Sequence, residues 1–117
     1  MEKINFDEQF ASLSEYWQPQ IIAEVNDTHV KAVKLKDEFI WHKHEEDEMF
    51  LVIKGTLTIK FRDRDIILEP GESLTIPKGV EHKPVADSEV HVLLIEPKGT
   101  VNTGDAESEW TYHPESH

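Results

Sequence analysis

HKHEEDEMFLVIKG, residues 42–55, decides how this chain is read. It has the form H-x-H-x3-E-x6-G, running from His42 through His44 and Glu48 to Gly55. On an extended strand side chains alternate, so His42 and His44 point to one face and Lys43 to the other. Two imidazoles on one face with a carboxylate close behind can chelate a divalent transition metal. The same spacing also fits a surface His pair in a charged turn. A second stretch, GESLTIPKGVEH at residues 71–82, has the form G-x5-P-x-G-x2-H and ends on His82.

In this order, with a short spacer between them, the two stretches resemble the paired motifs of the cupin superfamily. With the spacer they cover residues 42–86, and compatible strand patterning extends the resemblance to roughly 20–97. Lys36 stands where the family often has a glycine, and Ala86 where it often has an asparagine. Neither position supplies a metal ligand in the family. The resemblance implies four ligands, His42, His44, Glu48 and His82, around one divalent transition metal; which of Mn, Fe, Ni, Cu or Zn it is, the ligand types leave open. It also implies an all-β fold, the double-stranded β-helix or jelly-roll barrel, here preceded by a short N-terminal helix.

Outward from the motifs, short apolar runs alternate with Gly and Pro turns. Strands are expected at Ile21–Val25, His29–Leu35, Glu38–His44, Glu48–Lys54, Leu57–Phe61, Ile66–Glu69, Ser73–Ile76, His82–Val85 and Val90–Glu96. Asn26-Asp27 reads as a hairpin turn, and Arg62-Asp63-Arg64-Asp65 as a polar hairpin tip. Phe6, Phe10, Leu13 and Trp17 recur at helical spacing, which predicts a short amphipathic segment docked by its aromatic stripe and ended by Pro19. The resulting organisation is one domain: an N-terminal segment over 1–19, a barrel over 20–97 and a polar tail over 98–117. Trp110 and Tyr112 are expected to pin that tail to the body or to a neighbouring subunit, while His113 and His117 read as solvated terminal residues.

By parity Ile40, His42 and His44 share the barrel interior, and Phe39, Trp41 and Lys43 face out. Two aromatics left in water would be a liability, so either the N-terminal helix or a second subunit is expected to cover them. Family members commonly dimerise, and a homodimer is the expectation here. Glu45, Glu46 and Asp47 read as a solvent-facing turn. His29 and His91 read as packed or rim residues rather than ligands.

The 117 residues carry 24 acidic against 12 basic side chains, a formal charge of −12 that argues against nucleic acid and anionic membrane as partners. The absence of cysteine excludes disulfides and thiolate metal sites. The N-terminus, MEKINFDEQF, lacks the apolar stretch of a signal peptide, and the longest apolar run is Met49–Ile53, so a cytoplasmic location is expected. Three functions remain open. The favoured one is a metal-dependent enzyme, dioxygenase-like, acting on a small organic molecule. The others are a non-catalytic metal or small-molecule binding module, and an isomerase or lyase using the ion as a Lewis acid.

Overall fold

Among the described residues, alternating apolar side chains build seven strands: β1 (Gln20–Val25), β2 (Thr28–Glu38), β3 (Glu48–Lys54), β4 (Leu57–Lys60), β5 (Asp65–Leu68), β6 (Ser73–Ile76) and β7 (Lys83–Pro97). The structure is a computed structural model that describes residues 1–102 and 104. These strands all pair antiparallel, in the order β1-β2-β7-β3-β6, with β4 joined to both β5 and β7. The long β7 organises the fold. It pairs β2 along most of its length, β4 through Lys83–Val85, and β3 through its later residues. Thus β7 joins β2, β3 and β4 into one sheet.

The barrel interior holds Val33 and Leu35 of β2, Phe50 and Val52 of β3, Leu57 and Ile59 of β4, and Val90, Val92 and Leu94 of β7. The opposite face of β2 and β7 presents Ala32 and Leu93, which Phe10 and Leu13 cover. Phe10 belongs to α1 (Phe6–Ala11), whose first turn is capped by Asn5: its Oδ1 accepts the Glu8 amide at 3.0 Å. No helix among the described residues is long and apolar enough to cross a membrane.

The regular periodicities mislead in three places. First, α1 stops at Ala11, so the aromatic stripe is not one helical face. Phe6 is exposed, and Trp17 reaches the barrel core from a separate strap, with its backbone in the left-handed region at φ 64°. Second, no strand spans 38–44. β2 ends at Glu38 after a register shift between Leu35 and Asp37, and Asp37 takes φ 66°. With the alternation lost, Phe39 turns inward and stacks on Trp17 at 4.6 Å between ring centroids. Phe39 is therefore core, not outer face. Trp41 is half-buried under the guanidinium of Arg62, 3.8 Å above its ring, rather than under the helix. Third, the two segments expected at 82–85 and 90–96 are one strand, with Asp87, Ser88 and Glu89 as an exposed irregularity within it. Trp110, Tyr112, His113 and His117 lie outside the described residues.

Gly55 shows why the first motif ends on glycine. It turns the chain from β3 into β4 at φ 87°, and a Cβ there would lie 2.8 Å from the Glu89 carbonyl oxygen. Both the left-handed conformation and the close approach to β7 exclude a side chain. Replacing Gly55 by Ala is expected to cost roughly 1–3 kcal/mol of folding stability, measured by urea denaturation.

Candidate metal centre

The two motifs meet because their loops are joined backbone to backbone. His42 donates its amide to the His82 carbonyl at 3.0 Å, and His82 returns the bond at 2.9 Å. The Gly79 amide donates to the His44 carbonyl at 2.8 Å, and the Lys78 amide to Asp47 Oδ1 at 2.9 Å. Asp47, read from sequence as part of a solvent-facing turn, thus ties that turn to the second motif. Glu48 opens β3 on its inner face, in line with Phe50 and Val52.

These constraints bring His42, His44, Glu48 and His82 together, each buried, with one potential ligand atom from each lying within 4.8 Å of the others. His42 Nδ1 bonds the Ile40 carbonyl and His82 Nδ1 the Val80 carbonyl, both at 2.9 Å. A carbonyl can only accept, so both Nδ1 atoms carry a proton, and in the neutral ring the lone pair is then on Nε2. His44 Nε2 lies 3.3 Å from Glu48 Oε2, and His82 Nε2 lies 3.4 Å from Glu48 Oε1. Even so, both ring nitrogens of His44, Oε1 of Glu48 and Nε2 of His82 make no hydrogen bond. Burying several polar atoms without partners costs a few kcal/mol apiece. A cation at their centre would satisfy lone pairs from all four side chains, so the donor set fits a divalent metal held through nitrogen and oxygen.

The electrostatics agree with lone pairs facing inward. Burial pushes the His42 imidazole down to about 4, with His82 and His44 adding to the effect, so it is neutral at pH 7. Burial opposes the Glu48 charge, but the His44, His82 and Glu96 side chains beside it outweigh that and hold its carboxyl well below the usual carboxylate range.

Glu96 and Lys31 are the residues that motif reading missed. Lys31 Nζ sits 2.8 Å from Glu96 Oε1 and also donates to the Thr100 carbonyl at 2.9 Å, with both side chains buried. Burial and the neighbouring Glu48 charge raise the Glu96 carboxyl well above its ordinary value, against the pull of Lys31. Lys31 then donates to a largely protonated acid, and Glu96 backs Glu48 from behind. Strand parity carried the signal: Lys31 continues the inward series of Val33 and Leu35, and Glu96 that of Val92 and Leu94.

Space opens on two sides of the cluster. His42 and Glu48 border an apolar-walled chamber of about 30 Å³. His44 borders a wider recess of about 580 Å³ shared with Lys43, Glu45, Glu46, Lys78 and Gly104. His91 packs away from the cluster, stacked on Phe10 and bonded to Glu89, and His29 bonds Glu24 at the surface.

A jelly roll whose two motif loops converge on three histidines and a glutamate defines the cupin class, and the family comparison agrees. The family model for the Cupin domain matches residues 31–96, and the chain belongs to the cupin family. It is similar to a cupin-2 domain containing protein from Shewanella frigidimarina, whose crystal structure superposes with a TM-score of 0.80 at 50% identity over 81% of this chain and 94% of that one. It is 42% identical over 64 residues to the uncharacterised protein YdbB of Bacillus subtilis, covering 53% of this chain and 57% of that protein. It is also 36% identical over 66 residues to a 3-hydroxyanthranilate 3,4-dioxygenase of Meyerozyma guilliermondii, covering 50% of this chain and 39% of the dioxygenase. The chain spans about half the length of these two curated relatives.

Two predictions follow the charges. His42 has a folded pKa below its unfolded value, so the unfolded chain binds the extra proton between them. Metal-free protein should therefore lose stability as pH falls from about 6.5 towards about 4, by on the order of 3 kcal/mol from this residue, and His42→Gln should flatten that slope in urea titrations. Lys31→Met strands buried acceptors and should cost roughly 1–3 kcal/mol at pH 7, whereas Glu96→Gln, which mimics the protonated acid, should cost less.

Proposed function

We propose that His42, His44, Glu48 and His82 hold one divalent transition metal, and that the chain is a metal-dependent enzyme acting on a small organic molecule. The observation that carries the metal assignment is the set of buried donor atoms left without hydrogen bonds around a common centre. The reading as an enzyme is supported by incomplete enclosure: the chamber beside His42 and the recess beside His44 leave room for a ligand next to the cluster. Among the possible activities we favour a dioxygenase, in keeping with the similarity of part of the chain to a 3-hydroxyanthranilate 3,4-dioxygenase.

When bound, the ion would supply Lewis acidity, and a redox-active ion access to oxygen chemistry. The protein's own part is preorganisation. The Ile40 and Val80 carbonyls hold Nδ1 of His42 and His82 as donors, so neither ring must turn to offer Nε2. Glu96, itself held by Lys31, backs Glu48, and Phe39 packs edge-on against the His42 ring at 5.3 Å. We further propose that the chain works in the cytoplasm as a homodimer with Trp41 at or near the interface, which sedimentation equilibrium of the wild type and Trp41→Glu would test.

Protein purified without an affinity tag and loaded with Mn, Fe, Co, Ni, Cu or Zn should bind about one metal per chain by elemental analysis. The metal should raise the melting temperature, since it binds the folded barrel preferentially. His44→Ala should lose most of it; full stoichiometry in that variant would refute the ligand set. An oxygen-consumption screen of the iron- and manganese-loaded protein with small phenols and enols tests the favoured activity. Tight metal binding without turnover in that screen would favour the binding-module alternative.

A further inference from the structure

The strap between α1 and β1 spends backbone strain to deliver one side chain. Trp17 has φ 64°, a conformation that costs a non-glycine residue on the order of 1 kcal/mol or more. The strain is held by bonds on three sides. The Trp17 amide donates to the Lys34 carbonyl at 2.9 Å, the indole N–H to the Lys36 carbonyl at 2.9 Å, and Asn102 Nδ2 to the Trp17 carbonyl at 3.3 Å. The indole is thereby stacked on Phe39 and forms a wall of the chamber that His42 and Glu48 border.

That chamber holds about 30 Å³, enough for a water or two. An apolar cavity of about 150 Å³ is the scale that accommodates one benzene ring. Apart from His42, Glu48 and Asn102 the chamber is lined by apolar residues, including Phe39, Phe50 and Leu94, and no lysine or arginine lines it among the described residues. An anion entering it would lose its hydration and meet Glu48 without a cationic side chain in return.

We propose that Trp17 is the specificity-determining residue of this chamber: it sets the size limit on the ligand presented to His42 and Glu48, and in the metal-free protein the walls it completes select neutral over anionic molecules. The inference deepens the proposed function and rests on that reading for the ligand's relation to the metal. With Trp17 in place, only a molecule of a few heavy atoms reaches the cluster from this side. Without the indole, a single neutral ring does.

Phenol and benzoate, of similar size and opposite in charge state at pH 7, are the probes. Calorimetric titration of metal-free wild type and Trp17→Ala should show phenol affinity rising at least about tenfold in the variant, with no such gain for benzoate. In cobalt-loaded Trp17→Ala, phenol should perturb the visible cobalt spectrum. Leu93→Ala, which opens space in the other apolar cluster, should show no perturbation. Equal phenol affinity in wild type and Trp17→Ala, an equal gain for benzoate, or an undisturbed cobalt spectrum on phenol binding would each overturn the assignment. If Trp17→Ala fails to fold by circular dichroism, Trp17→Leu carries the same comparison. Failure of the wild type to bind cobalt would instead sink the metal reading, and the metal-free titrations would still decide whether Trp17 sets the size limit.

Discussion

Two reciprocal backbone hydrogen bonds between His42 and His82 hold the rest of the site in place. They join residues forty positions apart in a single bridge outside any regular strand. Once that bridge forms, both imidazoles lie inside the barrel, and each Nδ1 is committed to a carbonyl two residues earlier in its own chain segment. The Gly79–His44 and Lys78–Asp47 bonds extend the same seam. Positioning the donors through bonds to backbone groups leaves their inward atoms without hydrogen bonds.

This sets the energetic problem. A cluster of one carboxylate and three imidazoles, all buried, with polar atoms left unbonded, is unfavourable without a partner. The apolar barrel around it sharpens the penalty, because no solvent screens the groups. The protein places further polarity behind the cluster, in Lys31 and Glu96, rather than within it. The result is a site predisposed to take up a cation, with its apolar side closed by Trp17 and Phe39 and its His44 side open to a broader recess.

Much of this was legible in the residues. The fold followed from paired motifs and alternating strands, and each of the seven strands among the described residues overlaps a segment expected for it, with ends shifted by a residue or more in all but β3 and β6. Parity presumes an unbroken ladder, and the irregularity at Leu35/Asp37 breaks it one turn before the first motif. Phe39 and His42, three residues apart, therefore share a side that a strand would have denied them. Trp17 misled for a similar reason, since a left-handed residue in a strap reproduces helical spacing without a helix. The Lys31–Glu96 pair was visible in strand parity but carried no motif, so long-range pairing across β2 and β7 had to be seen before it had meaning.

The central claim is that buried, unbonded donors from both motifs converge to ligate one ion. X-ray absorption at the metal edge of protein loaded with zinc tests it most directly. The account predicts a first shell of nitrogen and oxygen at about 2.0–2.2 Å with the outer-shell scattering of about three imidazoles, reduced by one in His82→Ala. A shell without imidazole scattering, or one unchanged by removal of His82, would contradict it.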